Sequence, residues 1–431
     1  MSGIEVPVAG TAALGLGLAY GIKKYNDGCR VSLITADKDA SRVVGETEDG
    51  DAVTIRSLLD SECPSLTDPK KAYMVPTPYL AAGVLQTAYI TINGFKRDRL
   101  SNIKYDRELR IMSDNGTVSL DWYPKRSQDP AASSPIVVVM SGLGGSSDEY
   151  HIRCMAKALA DGPLKYRVVV MNHRGSGRTP LTSPRVYNGY DTEDYRTTVA
   201  YVRSCYPQAP LLGLAFSLGG NVMTKYIGEE GDNCPFVAAA AICCQFDVGI
   251  AGRVLDEHTF LNDKIFQPNL MATVKRLVKR NEAMIQSGEI KYDMEKILAT
   301  KRMKDFDQHF VAKSFGFSSC WEYYDATSSS PYVDKIAIPF LAINTLDDPT
   351  IPVRAVPIEK LKRNPNTSLV LVKHGGHLGF FSGLSPRIWY TKPVVEYFDA
   401  ILKASKSGRS LQAAGKQGSG VRVVAGSAAK L

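Results

Sequence analysis

The sequence predicts an α/β fold, a mainly parallel sheet doubly wound by helices, with a helical cap inserted between two of its late strands. Three observations carry this. From Pro135 onward, short apolar runs alternate with helical patterns, and runs such as Ile136-Val-Val-Val-Met140 are apolar at successive positions, as strands buried on both faces are. The run Pro210 to Phe216 stops abruptly at Ser217, small residues follow at Gly219 and Gly220, and a helical pattern begins at Asn221. Between Asp247 and Ile338 the alternation gives way to helical patterns alone, which is the expected cap. Right-handed strand–helix–strand crossovers make such an alternation a parallel sheet covered on both faces.

Composition sets the bounds. A 431-residue chain that is 44% apolar and 22% charged has enough material for one large core. The net charge of +8 is concentrated at the C-terminal end, where Lys403, Lys406, Arg409, Lys416, Arg422 and Lys430 are matched by no acid after Asp399. The body is therefore near neutral, and nucleic-acid binding is not expected. Eight scattered cysteines without a CxxC pair read as reduced thiols, not as a disulfide framework or a zinc site.

Taken in order, the chain divides into an apolar N-terminal segment over 1–25, a main domain over 60–404 with its cap at about 248–338, and a basic tail over 405–431 read as disordered. Within the first, residues 6–22 carry no charge and precede Lys23-Lys24, which makes them a candidate membrane-associating segment at the lower limit of a span. Residues 26–70 read as an irregular linker with short elements. In the run Tyr73 to Ile92, Pro76 and Pro78 rule out a continuous strand. Residues 104–123 alternate around Asp114-Asn115-Gly116 and predict a β-hairpin that opens the sheet. Strands are expected at Ile136–Met140, Tyr166–Met171, Pro210–Phe216, Phe236–Cys244, Pro339–Asn344 and Ser368–Val372. Helices are expected at Glu149–Asp161, Asp194–Cys205, Met271–Gln286, Asp293–Thr300 and Val394–Ala404.

The chemistry centres on Ser217. Strand, sharp turn with serine at its apex, then helix is the nucleophile elbow of an α/β-hydrolase fold. The serine backbone is strained there and strand and helix approach closely, so the positions two residues away, Ala215 and Gly219, must be small. A hydroxyl needs a base to take its proton, and the base needs an orienting acid. In this fold they follow the serine in the order acid, then histidine. The acid is expected just past the next-to-last strand, in Thr345-Leu-Asp347-Asp348-Pro-Thr-Ile-Pro352; Asp348 holds the better place and Asp347 is the competitor. The histidine is expected after the last strand, in His374-Gly375-Gly376-His377; His377 follows the glycines and is preferred over His374. An oxyanion hole needs backbone donors. The Leu218 amide follows the nucleophile, and the Leu143 amide lies in the loop Ser141-Gly-Leu-Gly-Gly145 after the first parallel strand. This chemistry requires no metal and no organic cofactor.

Several stretches occur in this order: YMVPTPYLAAGVLQT, ELRIMSDNGTVSLDWY, SGLGGSS, NHRGSG, LAFSLGGNV, NTLDDP and HGGHLGF. As a set they resemble the AB hydrolase 4 family, which includes YheT-like esterases, medium-chain ester synthases, monoacylglycerol lipases and ABHD phospholipases. The resemblance covers roughly residues 60–400. It implies Ser217, Asp348 and His377 as the triad and an acyl-ester lipid as substrate, with release of the acyl group to water or to an alcohol left open. Two departures stand out: Ser141 replaces a histidine often found before Gly-Leu in the oxyanion loop, and Ala215 replaces a glycine. A catalytically silent, lipid-binding relative is the rival reading.

Three further patterns remain. His258-x4-Asp263 has the spacing of an acyltransferase motif but lies in the cap, and is read as a surface pair. Arg174 and the glycines of the HRGSG loop read as a tight connection, not a phosphate-binding loop. Ala429-Lys430-Leu431 is a variant of a peroxisomal import address, which would make an import receptor a partner. The expected location is intracellular and membrane-associated through residues 6–22, with the organelle address as the alternative.

Overall fold

The computed structural model describes residues 28–37, 40–46, 52–93, 103–128 and 133–407. The apolar segment 6–22 and the Ala429-Lys430-Leu431 terminus lie outside them. Among the described residues, no helix is long and apolar enough to cross a membrane.

The strands are β1 (Ser32–Thr35), the hairpin pair β2 (Val43–Glu46) and β3 (Ala52–Thr54), β4 (Asp106–Ile111), β5 (Thr117–Tyr123), β6 (Ile136–Met140), β7 (Arg167–Asn172), β8 (Leu211–Phe216), β9 (Phe236–Ile242), β10 (Phe340–Thr345) and β11 (Thr367–Val372). Nine of them form one sheet in the order β1-β11-β10-β9-β8-β6-β7-β5-β4. The six central strands, β6 to β11, pair in parallel. Both edges are antiparallel: β4 and β5 at one, as Asp114-Asn-Gly predicts, and β1 at the other.

Alternation in the central strands divides the core. Val137 and Val139 of β6 face one layer, with Ile152 and Met155 of the helix Tyr150–Asp161 and Tyr397 and Phe398 of the helix Thr391–Ser407. Ile136, Val138 and Met140 face the other, with Val199 of the helix Glu193–Cys205 and Val222 of the helix Leu218–Glu230. A strand flanked on both sides in this way has no polar face, which is why β6 reads as an unbroken apolar run.

Two of the departures from the sequence reading bear on the sheet. The linker assigned to 26–70 contains β1, which pairs with β11 from Ser32–Leu371 to Thr35–Ser368 and belongs to the main sheet. The main sheet therefore includes a strand, Ser32–Thr35, that lies before residue 60. At four residues, SLIT is too short to display a period. The segment expected as strand Phe236–Cys244 ends at Ile242, because Cys243 turns to φ 49° and donates its amide to Ile343.

Between β9 and β10 the chain forms a helical layer with a core of its own. Met271, Val274 and Val278 of the helix Gln267–Arg280 pack with Phe306 of Met303–His309 and with Tyr323 and Tyr324 of Cys320–Thr327. Leu181 and Val186, from the loop after β7, complete that core and fasten it to the sheet. Beneath it, buried Arg174 pairs with Asp114 and Asp194, joining the β4–β5 turn to the start of the helix Glu193–Cys205. Burial alone would raise the Asp114 carboxyl, but the Arg174 guanidinium outweighs it and holds the group at about 2. None of the eight cysteines forms a disulfide.

Candidate active site

The site grows from the exit of β8. All six residues of β8 are buried, and the next residue, Ser217, sits at φ 53° and ψ −125°. That left-handed conformation is costly for any residue with a side chain and persists only where its surroundings enforce it. Here the Ser217 amide donates to Ile242 at 2.9 Å, which ties the turn to the end of β9. A β-carbon on Gly219 would lie 2.3 Å from the Ser141 carbonyl oxygen, so the new helix touches the loop after β6 backbone to backbone. A β-carbon on Gly142 would lie 3.0 Å from that of Ser217. On the other side of the serine, the methyl of Ala215 is accommodated inside the sheet, fully buried between Met140 and Ala241.

The structure brings three of the sequence-selected residues into one hydrogen-bonded chain. His377 Nε2 lies 2.9 Å from Ser217 Oγ, and His377 Nδ1 lies 2.8 Å from Asp348 Oδ2. A carboxylate only accepts, so Nδ1 carries the proton and Nε2 is left free to accept from the serine hydroxyl. The other oxygen of Asp348 accepts from the Thr350 amide at 2.8 Å, the Thr350 hydroxyl at 2.9 Å and the Ile351 amide at 2.9 Å. Burial works to raise the Asp348 carboxyl, but His377 and these donors outweigh it and hold it below its ordinary value. The group stays ionised although its side chain is only 1% exposed.

The two competitors do different work. Asp347 turns away from the serine: Oδ1 accepts the Gly376 amide at 2.9 Å and Oδ2 lies 3.4 Å from His374 Nδ1. This pair fixes the glycine loop that carries His377. His258 and Asp263 meet at 3.2 Å on the outside of the cap, where Arg302 also bonds Asp263 at 2.7 Å, and neither lines the active-site cavity.

Leu143 and Leu218 both line the cavity over Ser217. Among the described residues neither amide is hydrogen-bonded to another backbone group, one sitting in a turn and the other at the first position of its helix. The Leu143 loop is held from below. The Ser147 amide donates to Asn172 at 2.8 Å, and the Ser147 hydroxyl bonds Asp121, itself paired with Arg107 at 2.6 Å. Ser141 does not supply that support through its side chain, whose hydroxyl is buried with no hydrogen-bond partner among the described residues. Its carbonyl instead accepts from His173 Nε2 at 3.2 Å, with the His173 ring stacked on Tyr187. Burial lowers His173 to about 4, so it is a neutral donor, not a base.

Other parts of the site were not read from the sequence. The helix Gly83–Asn93 lies against the histidine loop: Thr87 Oγ1 accepts the His377 amide at 2.8 Å, and Gln86 Oε1 accepts the Phe381 amide at 2.6 Å. The contact is so close that a β-carbon on Gly376 would fall 2.1 Å from the Gly83 carbonyl oxygen. Only the motif YMVPTPYLAAGVLQT signalled this segment, and it named no role. Cys243 is a second addition. Its sulfur, Asp348 and His377 offer ligand atoms within 4.8 Å of one another, as a metal site would. The His377 and Asp348 atoms are already bonded to each other, however. Burial first, and then the neighbouring Asp348 charge, push the Cys243 thiol well above its ordinary value, so it is not a thiolate ligand. It accepts the Leu378 amide at 3.3 Å instead.

Over the serine, the sheet and the cap enclose a cavity of ≈ 330 Å³, lined by Ser217 and His377 and by apolar cap residues such as Leu270, Val274, Leu277, Phe306 and Phe310. This volume is within the range of small-ligand sites. One carboxyl interrupts the apolar wall: Asp307, which accepts from the Tyr324 hydroxyl at 2.6 Å.

Comparison with known proteins agrees with this fold. The family described as alpha/beta hydrolase fold matches residues 135–384. The chain is 34% identical over 288 residues to phospholipase ABHD3 of Homo sapiens, covering 66% of this chain and 69% of that one. It is 27% identical over 383 residues to a monoacylglycerol lipase of Saccharomyces cerevisiae, covering 80% and 84%. It is 30% identical over 364 residues to monoacylglycerol lipase ABHD2 of Mus musculus, covering 80% and 83%.

Two outcomes follow from these arrangements. Asp348→Asn leaves His377 without an acceptor that fixes its tautomer, and lowers kcat for a soluble ester on the order of a thousandfold or more. Asp347→Asn costs far less, and the reverse ranking in two folded variants would reassign the acid. The second concerns pH. Burial raises Asp307 to about 7, against only a modest opposing effect of the Tyr324 bond. A folded-state value above the unfolded one means stability that is present in acid and lost as pH rises through about 7. Asp307→Asn, neutral throughout, therefore raises Tm at pH 8 and leaves it nearly unchanged at pH 4; an equal shift at both pH values would refute this. With the elbow, the acid and histidine loops and the family match all in place, the chain belongs to the alpha/beta hydrolase fold family.

Proposed function

We propose that this protein is a serine hydrolase that cleaves carboxylic esters of lipids through an acyl-enzyme. The observation that carries the reading is the bonded series Ser217–His377–Asp348 at the floor of a capped, largely apolar cavity. The phospholipase and monoacylglycerol lipase names of the relatives support the substrate class.

In this reading His377 Nε2 takes the Ser217 proton as Oγ attacks the ester carbonyl. The buried Asp348 charge stabilises the imidazolium that forms, and the Leu143 and Leu218 amides receive the negative charge that develops on the carbonyl oxygen. His377 returns the proton to the departing alcohol. Water, or an alcohol reaching the same position, then releases the acyl group and regenerates the serine. The reading extends to membrane association through residues 6–22, with Ala429-Lys430-Leu431 as the rival address. Deleting residues 1–24 and, separately, the last three residues distinguishes them by which deletion abolishes membrane pelleting or organelle import.

A fluorophosphonate probe is expected to label the wild type and not Ser217→Ala. A p-nitrophenyl ester series followed by mono- and diacyl lipids then defines the acyl chain accepted. Absence of labelling and of turnover in folded protein would replace the enzyme with a lipid-binding relative of the fold.

A further inference from the structure

The helix Gly83–Asn93 has a second side. Gln86, Thr87 and Ile90 face the body, while Leu85 and Ile92, seven residues apart and so on one helical face, are 49% and 59% exposed. The inner face thus carries the polar Gln86 and Thr87 and the outer face the apolar Leu85 and Ile92, whereas a surface helix ordinarily turns its polar side to water. The preceding turn adds Tyr79, 59% exposed.

Neighbouring segments add to the same region. Leu346, 52% exposed, immediately precedes Asp347, whose carbonyl oxygen lies 2.2 Å from where a Gly83 β-carbon would stand. Leu384, 86% exposed, follows Gly383, whose carbonyl accepts the Thr77 hydroxyl at 2.7 Å. Five exposed apolar side chains from three separate segments thus gather around one helix. Scattered exposed apolar residues need no explanation, but a cluster of this kind marks a surface made for a partner.

Charge identifies the partner. Residues 72–93 contain no Asp, Glu, Lys, Arg or His. In the sequence the stretch is preceded by Lys70-Lys71, of which Lys71 pairs with Asp68 at 3.5 Å, and followed by Lys96-Arg97-Asp98-Arg99, which lie outside the described residues. An uncharged apolar band between basic clusters suits a bilayer, whose acyl region takes the apolar side chains and whose anionic headgroups take the bases.

We propose that the surface formed by Tyr79, Leu85, Ile92, Leu346 and Leu384 docks this protein onto an anionic phospholipid bilayer. Docking puts at the lipid surface the same helix whose inner face holds the His377 loop through Thr87 and Gln86. The purpose of such docking rests on the lipid-ester reading, whereas the geometry does not.

The test is flotation of the full chain with vesicles of phosphatidylcholine alone or containing about 30% phosphatidylserine, a fraction that supplies the anionic charge. The double variant L85E/I92E is expected to lose vesicle binding by about tenfold or more, and wild-type binding is expected to need phosphatidylserine and to fall with added salt. Turnover of p-nitrophenyl acetate in solution is expected to stay within about twofold of wild type, because the substituted side chains point away from the His377 loop. If L85E/I92E loses soluble turnover as well, the single variants Tyr79→Glu and Leu384→Glu, off the helix, carry the same expectation. Vesicle binding unchanged in all these variants overturns the proposal. So does binding that increases, as release of residues 6–22 from this face would give, or a wild-type dimer that becomes monomeric in L85E/I92E with binding intact. The two readings fail separately: vesicle binding with the expected pattern but no ester turnover by wild type removes the hydrolase reading alone, and lipid-ester turnover with binding insensitive to these residues removes the docking alone.

Discussion

The structure depends on one constrained residue. Ser217 must leave β8 at φ 53° and point its hydroxyl out of the sheet, a conformation worth about 1–3 kcal/mol of strain for a residue with a β-carbon. The strain is held because β8 lies in the middle of the sheet, paired along its length with β6 and β9. The turn also has no room to relax, since Gly219 and Gly142 bring the loop after β6 against the serine on two sides. The same crowding keeps Leu143 and Leu218 on the wall of the cavity that holds the serine. One steric requirement thus fixes both the proposed nucleophile and the proposed oxyanion donors, and it explains why the sequence around them is so rich in small residues.

A second constraint is electrostatic. An ionised carboxylate at 1% exposure is tolerated only with its lone pairs occupied. Asp348 meets that condition with three donors from the Asp-Pro-Thr-Ile turn on one oxygen and His377 on the other. The turn is therefore part of the site, because without its donors the pair with His377 would not offset the loss of hydration. Two adjacent acids are kept apart by direction. Asp348 orients the imidazole ring, whereas Asp347 orients the backbone that presents it. The nearby Cys243 thiol adds no charge, since burial keeps it protonated.

How much of this was legible depended on length and period. Strands buried on both faces announce themselves as continuous apolar runs, so β6 to β11 were readable to within two residues, whereas the closing helix Thr391–Ser407 extends three residues beyond each end of the expected Val394–Ala404 and the short helix Ile358–Arg363 was not read. The serine, acid and histidine positions were readable because they sit at strand exits, where turn residues interrupt apolar patterns. What stayed hidden was short or conferred by distant partners. β1 has four residues, and only the edge of β11 makes it a strand. The helix Gly83–Asn93 carries two prolines shortly before it and no charges, and nothing local reveals that Thr87 receives the His377 amide 290 residues away. The role of His173 in place of a histidine at position 141 was equally invisible, because the hydrogen bond goes to a backbone carbonyl that any residue provides. Asp307 drew no reading at all, since only the packing of the cap buries it.

The histidine loop gathers these strands of argument. Its glycines permit a tight reversal but supply no stiffness, so its position must come from neighbours. Asp347 holds it from the β10 side and the Gly83–Asn93 helix holds it from the other, through contacts too close for any side chain at Gly376. A rigid loop would be expected to sit deep in the protein, yet one of its two supports is a surface helix with an apolar outer face. That face is unfavourable in water by the ordinary hydrophobic term, and the contacts to the histidine loop do not require it, because Gln86, Thr87 and Gly83 on the inner side make them. Inner and outer faces of this helix thus answer to different demands: the inner one to the geometry of His377, the outer one to an apolar phase outside the chain. A helix serving both would couple the position of His377 to the proposed docking surface.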